Sequence, residues 1–153
     1  MIYMGSKSRI ARDILPIMLK DIGDKYFVDC FCGGGNLIQF ADCKNKFASD
    51  INKYTIAFLQ KIQKDGCSWL PKSEKEFTKE DYKYVKDHKE EFDDAMIGHV
   101  AYNLSFGGKF FGGWCHNNAG KDYVKAGYKH VQRQAEKIKD VVFRNCSYSD
   151  IYI

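Results

Sequence analysis

The stretch that most constrains this chain runs from Tyr26 through Phe27, Val28 and Asp29 to the three glycines Gly33, Gly34 and Gly35. Tyr26 to Val28 is a short apolar run of the kind that forms a buried strand. Three successive glycines then let the backbone turn tightly or let a ligand approach it closely. Asn36, Leu37, Ile38 and Phe40 follow and predict the first turns of a helix. Strand, glycine turn and helix in that order predict an α/β fold with a ligand at the carboxyl end of the strand.

Glycine spacing narrows the ligand. A dinucleotide fingerprint, G-x-G-x-x-G, would place a third glycine where Ile38 stands. A phosphate-binding loop would continue with Gly-Lys-Ser/Thr, and none follows. A nicotinamide-dependent dehydrogenase is therefore the reading least supported.

Elsewhere the pattern alternates helix and strand. From Ser8 onward, Ile10, Ile14, Ile17 and Met18 share one predicted helical face, and Pro16 should kink or split that helix. Lys46 to Ser49 reads as a second strand ending at Asp50. Asn52 is placed to cap the next helix, whose Thr55, Phe58, Leu59 and Ile62 fall together. Helix, strand, helix, strand, helix implies a parallel sheet with crossovers. Thr78 and Asp81 have the spacing of a capping box, predicting a surface helix over about 79–90. Met96, Ile97, Val100, Ala101 and Leu104 predict a more buried helix. Phe106 to Trp114 packs four aromatics and four glycines around Lys109, which predicts an irregular loop or hairpin outside the core. Val124, Tyr128, Val131, Ala135 and Ile138 mark a last helix, and Val141 to Phe143 a strand returning to the sheet.

The charge of +4 is unevenly spread. Residues 64–100 carry 7 Lys/Arg against 10 Asp/Glu, whereas residues 101–144 carry 8 against 3. A basic segment of this kind suits a face that meets a polyanion, or else a solvated helix surface. The six cysteines include no C-x-x-C pair, and no paired histidines accompany them, so free thiols in a reducing cytoplasm are expected and a metal site is not. No apolar run approaches the length of a membrane span.

Three stretches carry a resemblance: Tyr3-Met4-Gly5-Ser6-Lys7, Asp29-x-Phe31-x-Gly33-x-Gly35, and Ser49-Asp50-Ile51-Asn52. In this order they resemble the Dam-type (alpha-group) DNA adenine-N6 methyltransferases, short bacterial and phage members above all. The resemblance implies a Rossmann-like sheet that binds S-adenosylmethionine (SAM), here partial, with an inserted, mainly helical target-recognition region. By that likeness Tyr3, Gly5, Lys7, Asp29, Phe31, Gly33, Gly35, Asp50 and Ile51 hold the cofactor. Asp29 lies near its ammonium group and Asp50 against its ribose hydroxyls. Residues 1–63 would form the SAM-binding part of the core, 64–138 the recognition insert, and 139–153 a return strand. The partner implied is double-stranded DNA. Asn103, Lys109, Phe110, Lys121 and Arg133 are the expected contacts, with Lys125 and Lys129 as further phosphate candidates. Glycines permit close approach to DNA, Lys109 can meet a phosphate, and the aromatics either stack beside a base or pack the insert onto the sheet. Asn145 to Asp150 resembles the segment beside the cofactor adenine.

One family element is missing. The catalytic motif, Asp/Asn-Pro-Pro-Tyr/Phe, has no counterpart, because the only prolines are Pro16 and Pro71. In the family that motif orients the flipped adenine's amino group toward the sulfonium methyl. The expectation is a truncated methyltransferase with no catalytic residue of its own, inactive alone. The alternatives are a SAM- or DNA-binding protein that methylates nothing, and an amino-methyltransferase with another substrate.

Overall fold

A computed structural model describes residues 1–152. Three strands, β1 (Tyr26–Asp29), β2 (Asn45–Asp50) and β3 (Val141–Asn145), form a parallel sheet in the order β1-β2-β3. Asp29 pairs in register with Ala48, and Asp50 with Asn145. The carboxyl ends of all three strands therefore emerge along one edge, where α/β sheets place their ligands.

The helices are α1 (Ala11–Met18), α2 (Lys53–Asp65), α3 (Lys79–Asp87), α4 (Asp94–Gly98) and α5 (Tyr123–Lys137). Local chemistry sets most of their boundaries. Asn52 caps α2 by accepting from the backbone of Tyr54 and Thr55. Thr78 and Asp81 close a reciprocal capping box at the start of α3. A π-helical turn, His99–Asn103, continues α4, and a single bridge, Ser105 to Trp114, closes the hairpin after it. One apolar core joins Phe27, Ile56, Phe58 and Leu59 to Tyr82, Val100, Val124, Val131 and Val141. Tyr82, Val100, Val124 and Val131 of residues 64–138 thus share one core with the sheet.

Three expectations are corrected. No α-helix follows the glycine turn: residues 38–40 form one 3-10 turn, with Phe40 bonded back to Leu37 and Ala41 to Ile38. Asn36 and Gln39 are buried there, Asn36 bonding the distant Met1 carbonyl and Gln39 bonding Asn36, so neither amide lies on the outer face of a helix. The α1 helix runs through Pro16 and ends two residues later, but its buried residues are Ala11 and Leu15, while Ile10, Ile17 and Met18 are exposed. Its sequence offers two apolar stripes roughly 100° apart, and packing selects the other one. Finally, the glycine-aromatic hairpin is not wholly outside the core, since Gly108 and Phe111 are buried. The Phe111 amide bonds the Ala101 carbonyl at 2.9 Å, which draws that ring inward against Tyr82.

Candidate functional site

At the carboxyl ends of β1 and β2 lies a cavity of about 190 Å³ lined by Tyr3, Gly5, Ser6, Lys7, Phe31, Cys32, Gly33, Asn36, Leu37 and Asp50. Six of the nine residues expected at the cofactor site are among them. Three elements meet here: the N-terminal strap (residues 1–7), the glycine turn after β1, and the end of β2.

Backbone bonds hold the turn in place. The Cys32 amide bonds the Ser49 carbonyl at 2.9 Å, and Gly35 bonds back to Cys32 at 2.8 Å. Asp50 accepts the Gly33 N–H at 2.8 Å through one oxygen and the Asn52 N–H at 2.9 Å through the other. Gly33 has φ +49°, and a Cβ there would stand 2.5 Å from the Tyr3 ring. Only glycine permits that approach. Tyr3 is also clamped from the other side. A Cβ on Gly108 would stand 2.7 Å from the Tyr3 backbone nitrogen, and the Met4 amide bonds the Gly108 carbonyl at 2.9 Å. The strap therefore threads between the glycine turn and the hairpin.

The electrostatics favour a cation. Asp29 is buried, with one oxygen accepting the Phe31 N–H at 3.3 Å and the other, Oδ2, buried without any partner. Burial raises its pKa, and Lys7 pulls in the opposite direction. Lys7 Nζ bonds the Phe31 carbonyl at 3.0 Å. Burial, with Tyr102 and Asp50 adding to it, pushes the Tyr3 phenol up to about 12, so it remains a neutral donor. Burial likewise raises the Cys32 thiol, which keeps it protonated and unreactive. A buried carboxylate oxygen without a donor is costly, and a ligand ammonium would satisfy it.

The remaining cofactor candidates, Asp29, Gly35 and Ile51, are not among the lining residues. Gly35, with φ +68°, lies behind the turn against Leu59 and Gln134. Ile51 is 79% exposed beside Asp50. Phe31 and Tyr148, each 62% exposed, meet at a tilt of 43° with ring centroids 5.4 Å apart. This pair presents apolar faces on which a planar base would stack. Tyr148 belongs to the segment that the sequence marked only as a whole.

The expected DNA contacts divide. Lys109, Lys121 and Arg133 are exposed. Phe110 is partly exposed and packs between Tyr54 at 5.6 Å and Tyr102 at 5.4 Å. A recess of about 470 Å³ lies here, bordered by Ile51, Asn52, Lys53, Tyr54, Tyr102 and Phe110. Asn103, by contrast, is buried: its Oδ1 accepts the Ile2 amide at 2.7 Å and its amide meets His99 Nδ1 at 3.2 Å. It holds the strap and faces no solvent. Lys125, Lys129, Arg133 and Lys137 recur every four residues along α5 and are all exposed, forming a stripe roughly 18 Å long.

Sequence reasoning named neither Cys32, Asn36 and Leu37 as lining residues nor Gln134 and Met1 as supports. Asn36 and Gln134 are polar residues on otherwise apolar stretches, and that mismatch is the one signal that marks them. Among the described residues no helix is long and apolar enough to cross a membrane.

Residues 3–105, more than half of the chain, match the family of D12 class N6 adenine-specific DNA methyltransferases. The matched stretch contains residues 3–7 of the strap, the glycine turn and Asp50, and it ends before Lys109. No curated protein matches the chain.

Proposed function

The chain belongs to the family of D12 class N6 adenine-specific DNA methyltransferases, and we propose that it binds SAM at the strap and glycine turn, as the cofactor- and DNA-contacting part of a Dam-type enzyme. The carrying observation is the cavity walled by Tyr3, Lys7, Gly33 and Asp50, with the orphaned, buried Asp29 Oδ2 at the end of β1 coupled electrostatically to Lys7 and Asp50. SAM brings the cation that this oxygen lacks, in its α-ammonium group. Asp50 keeps lone pairs for ribose hydroxyls after accepting two backbone amides, and the Phe31–Tyr148 pair suits the adenine. The cavity is below the roughly 300–1,000 Å³ of typical ligand sites, which fits enclosure of the amino-acid end with the nucleoside toward the rim.

When bound, SAM supplies an electrophilic methyl group on its sulfonium. The residues of this chain bind and orient it: Asp29 and Lys7 fix the amino acid's charges, Gly33 allows close approach, and Tyr3 closes over the turn. In this reading the sheet is the first part of a Rossmann-like methyltransferase sheet, with residues 64–138 as its recognition insert. Double-stranded DNA is the partner, met by Lys109, Phe110, Lys121 and Arg133 together with Lys125 and Lys129.

These 153 residues contain no Asp/Asn-Pro-Pro-Tyr/Phe motif. The acids present at the site, Asp29 and Asp50, are engaged on the cofactor side, so neither serves the target base. We therefore assign this chain binding rather than transfer. In-line orientation of the amino nitrogen supplies roughly 7–11 kcal/mol of such a barrier's reduction, and no residue here provides it. The second reading, a protein that binds SAM or DNA and methylates nothing, rests on the same missing motif.

Calorimetry with SAM and S-adenosylhomocysteine, alongside tritiated methyl transfer to unmethylated duplex DNA, tests both parts. Binding without transfer is expected. No heat at millimolar ligand would remove the cofactor assignment. Incorporation that disappears in Asp50→Ala would show that base-orienting groups do lie within these residues.

A further inference from the structure

Gln134 is the least expected residue in the interior. It lies on α5 at 1% exposure, on the apolar face shared by Val131, Ala135 and Ile138. A buried amide is costly there unless both of its ends are bonded. Both are. Oε1 accepts the Met1 amino group, and Nε2 donates to the Gly34 carbonyl at 2.8 Å. Gly34 sits next to Gly33, whose N–H bonds Asp50. Met1 in turn offers its carbonyl to Asn36, a cavity-lining residue, at 2.8 Å. One side chain thus grips the cavity by two routes, the glycine turn directly and the strap through Met1. It does so from the helix that carries the basic stripe.

We propose that Gln134 is a positioning residue for the cofactor cavity, fixing the glycine turn and the strap relative to each other and to α5. The inference rests on the SAM assignment above for its functional consequence and on geometry alone for the positioning itself. Gln134→Leu removes both bonds and leaves the Gly34 carbonyl buried without a donor. Gln134→Glu keeps an oxygen for Met1 but, ionised, has no proton for Gly34. Val131→Ala, on the same buried face and without polar contacts to the turn, is the stability control.

The experiment measures SAM affinity by calorimetry, thermal unfolding, and amide hydrogen exchange of residues 1–4 and 33–39 in the ligand-free chain. We expect SAM affinity to fall about tenfold or more in Gln134→Leu, with faster exchange in both segments. Gln134→Glu should lose affinity and speed exchange at the turn, and it carries the test if the leucine variant does not fold. Val131→Ala should lower the unfolding temperature with SAM affinity within twofold of wild type. Equal affinity losses in Gln134→Glu and Val131→Ala would overturn the positioning role. If wild type binds no SAM, the cofactor reading fails by itself. Exchange then decides the positioning claim: faster turn exchange in the Gln134 variants alone upholds it, and unchanged exchange overturns it.

Discussion

The Gly33 N–H donates to Asp50 Oδ2 at 2.8 Å, so the turn after β1 and the acid ending β2 form one unit. Asp50 also holds the Asn52 N–H at 2.9 Å, and Asn52 caps α2. One carboxylate therefore links turn, strand end and helix start while still presenting lone pairs to the cavity.

Replacing Asp50 by alanine should accordingly damage both stability and binding. Hydrogen bonds to a charged group contribute roughly 1.5–3 kcal/mol, and two backbone donors would lose their acceptor. We expect a lower denaturation midpoint and at least about tenfold weaker SAM binding. Equal stability in the alanine variant would show that water replaces the carboxylate at no cost.

Asp29 predicts the opposite combination. Burial raises its pKa, so the folded state disfavours the ionised carboxylate, and Lys7 offsets this only in part. Asp29→Asn removes that charge. The ligand-free protein should become more stable at neutral pH, with an unfolding temperature higher by about 2–4 °C for each kcal/mol relieved. SAM binding should weaken, because the partner of the ammonium group is gone. Thermal scans with and without SAM check this, and a destabilised ligand-free variant would contradict it. Such an exchange of stability for binding is common at functional sites.

What the sequence made legible was local. Strand ends at Asp29 and Asp50, the Asn52 cap and the Thr78–Asp81 box depend on neighbours within a few residues, so pattern alone locates them. Gln134 and Asn103 could not be located that way. Their partners Gly34 and Ile2 are 100 and 101 residues distant, and either amide reads in sequence as a surface group. For α1 the pattern supplied two adjacent apolar stripes, and only packing distinguishes them. Past the glycine turn, the bond from Asn36 to the Met1 carbonyl is a tertiary contact that periodicity does not reveal.

DNA binding by the exposed cations should depend steeply on salt. Each phosphate neutralised contributes about 0.9 to the slope of log affinity against log salt. Lys109→Ala combined with Arg133→Ala should flatten that slope by about two units, with little change in which sequence is preferred. Fluorescence anisotropy across a salt series measures it. An unchanged slope would make both residues ordinary surface charges.

Stability should fall on acidification, well before the carboxylates titrate. Burial lowers the Met1 amino group to about 4, His99 to about 3 and His130 to about 4. Each is a base held neutral in the fold and free to take a proton once unfolded, at 8.0 for the amino group and 6.5 for the histidines. The unfolded chain therefore binds more protons below pH 8, so stability rises with pH across that window and falls as the pH is lowered through it. His99 Nε2 and His130 Nε2 are buried without partners, so nothing nearby compensates a charge on either ring. Asp29 acts in the opposite sense, since its raised pKa favours the folded state as the carboxyl protonates, but it is one group against three. Denaturant midpoints should drop between pH 8 and pH 5. His130→Gln should flatten the part of the curve below pH 6.5 and leave the part between 8 and 6.5 to Met1. A midpoint that stays constant over this range would mean that water reaches these groups in the folded protein.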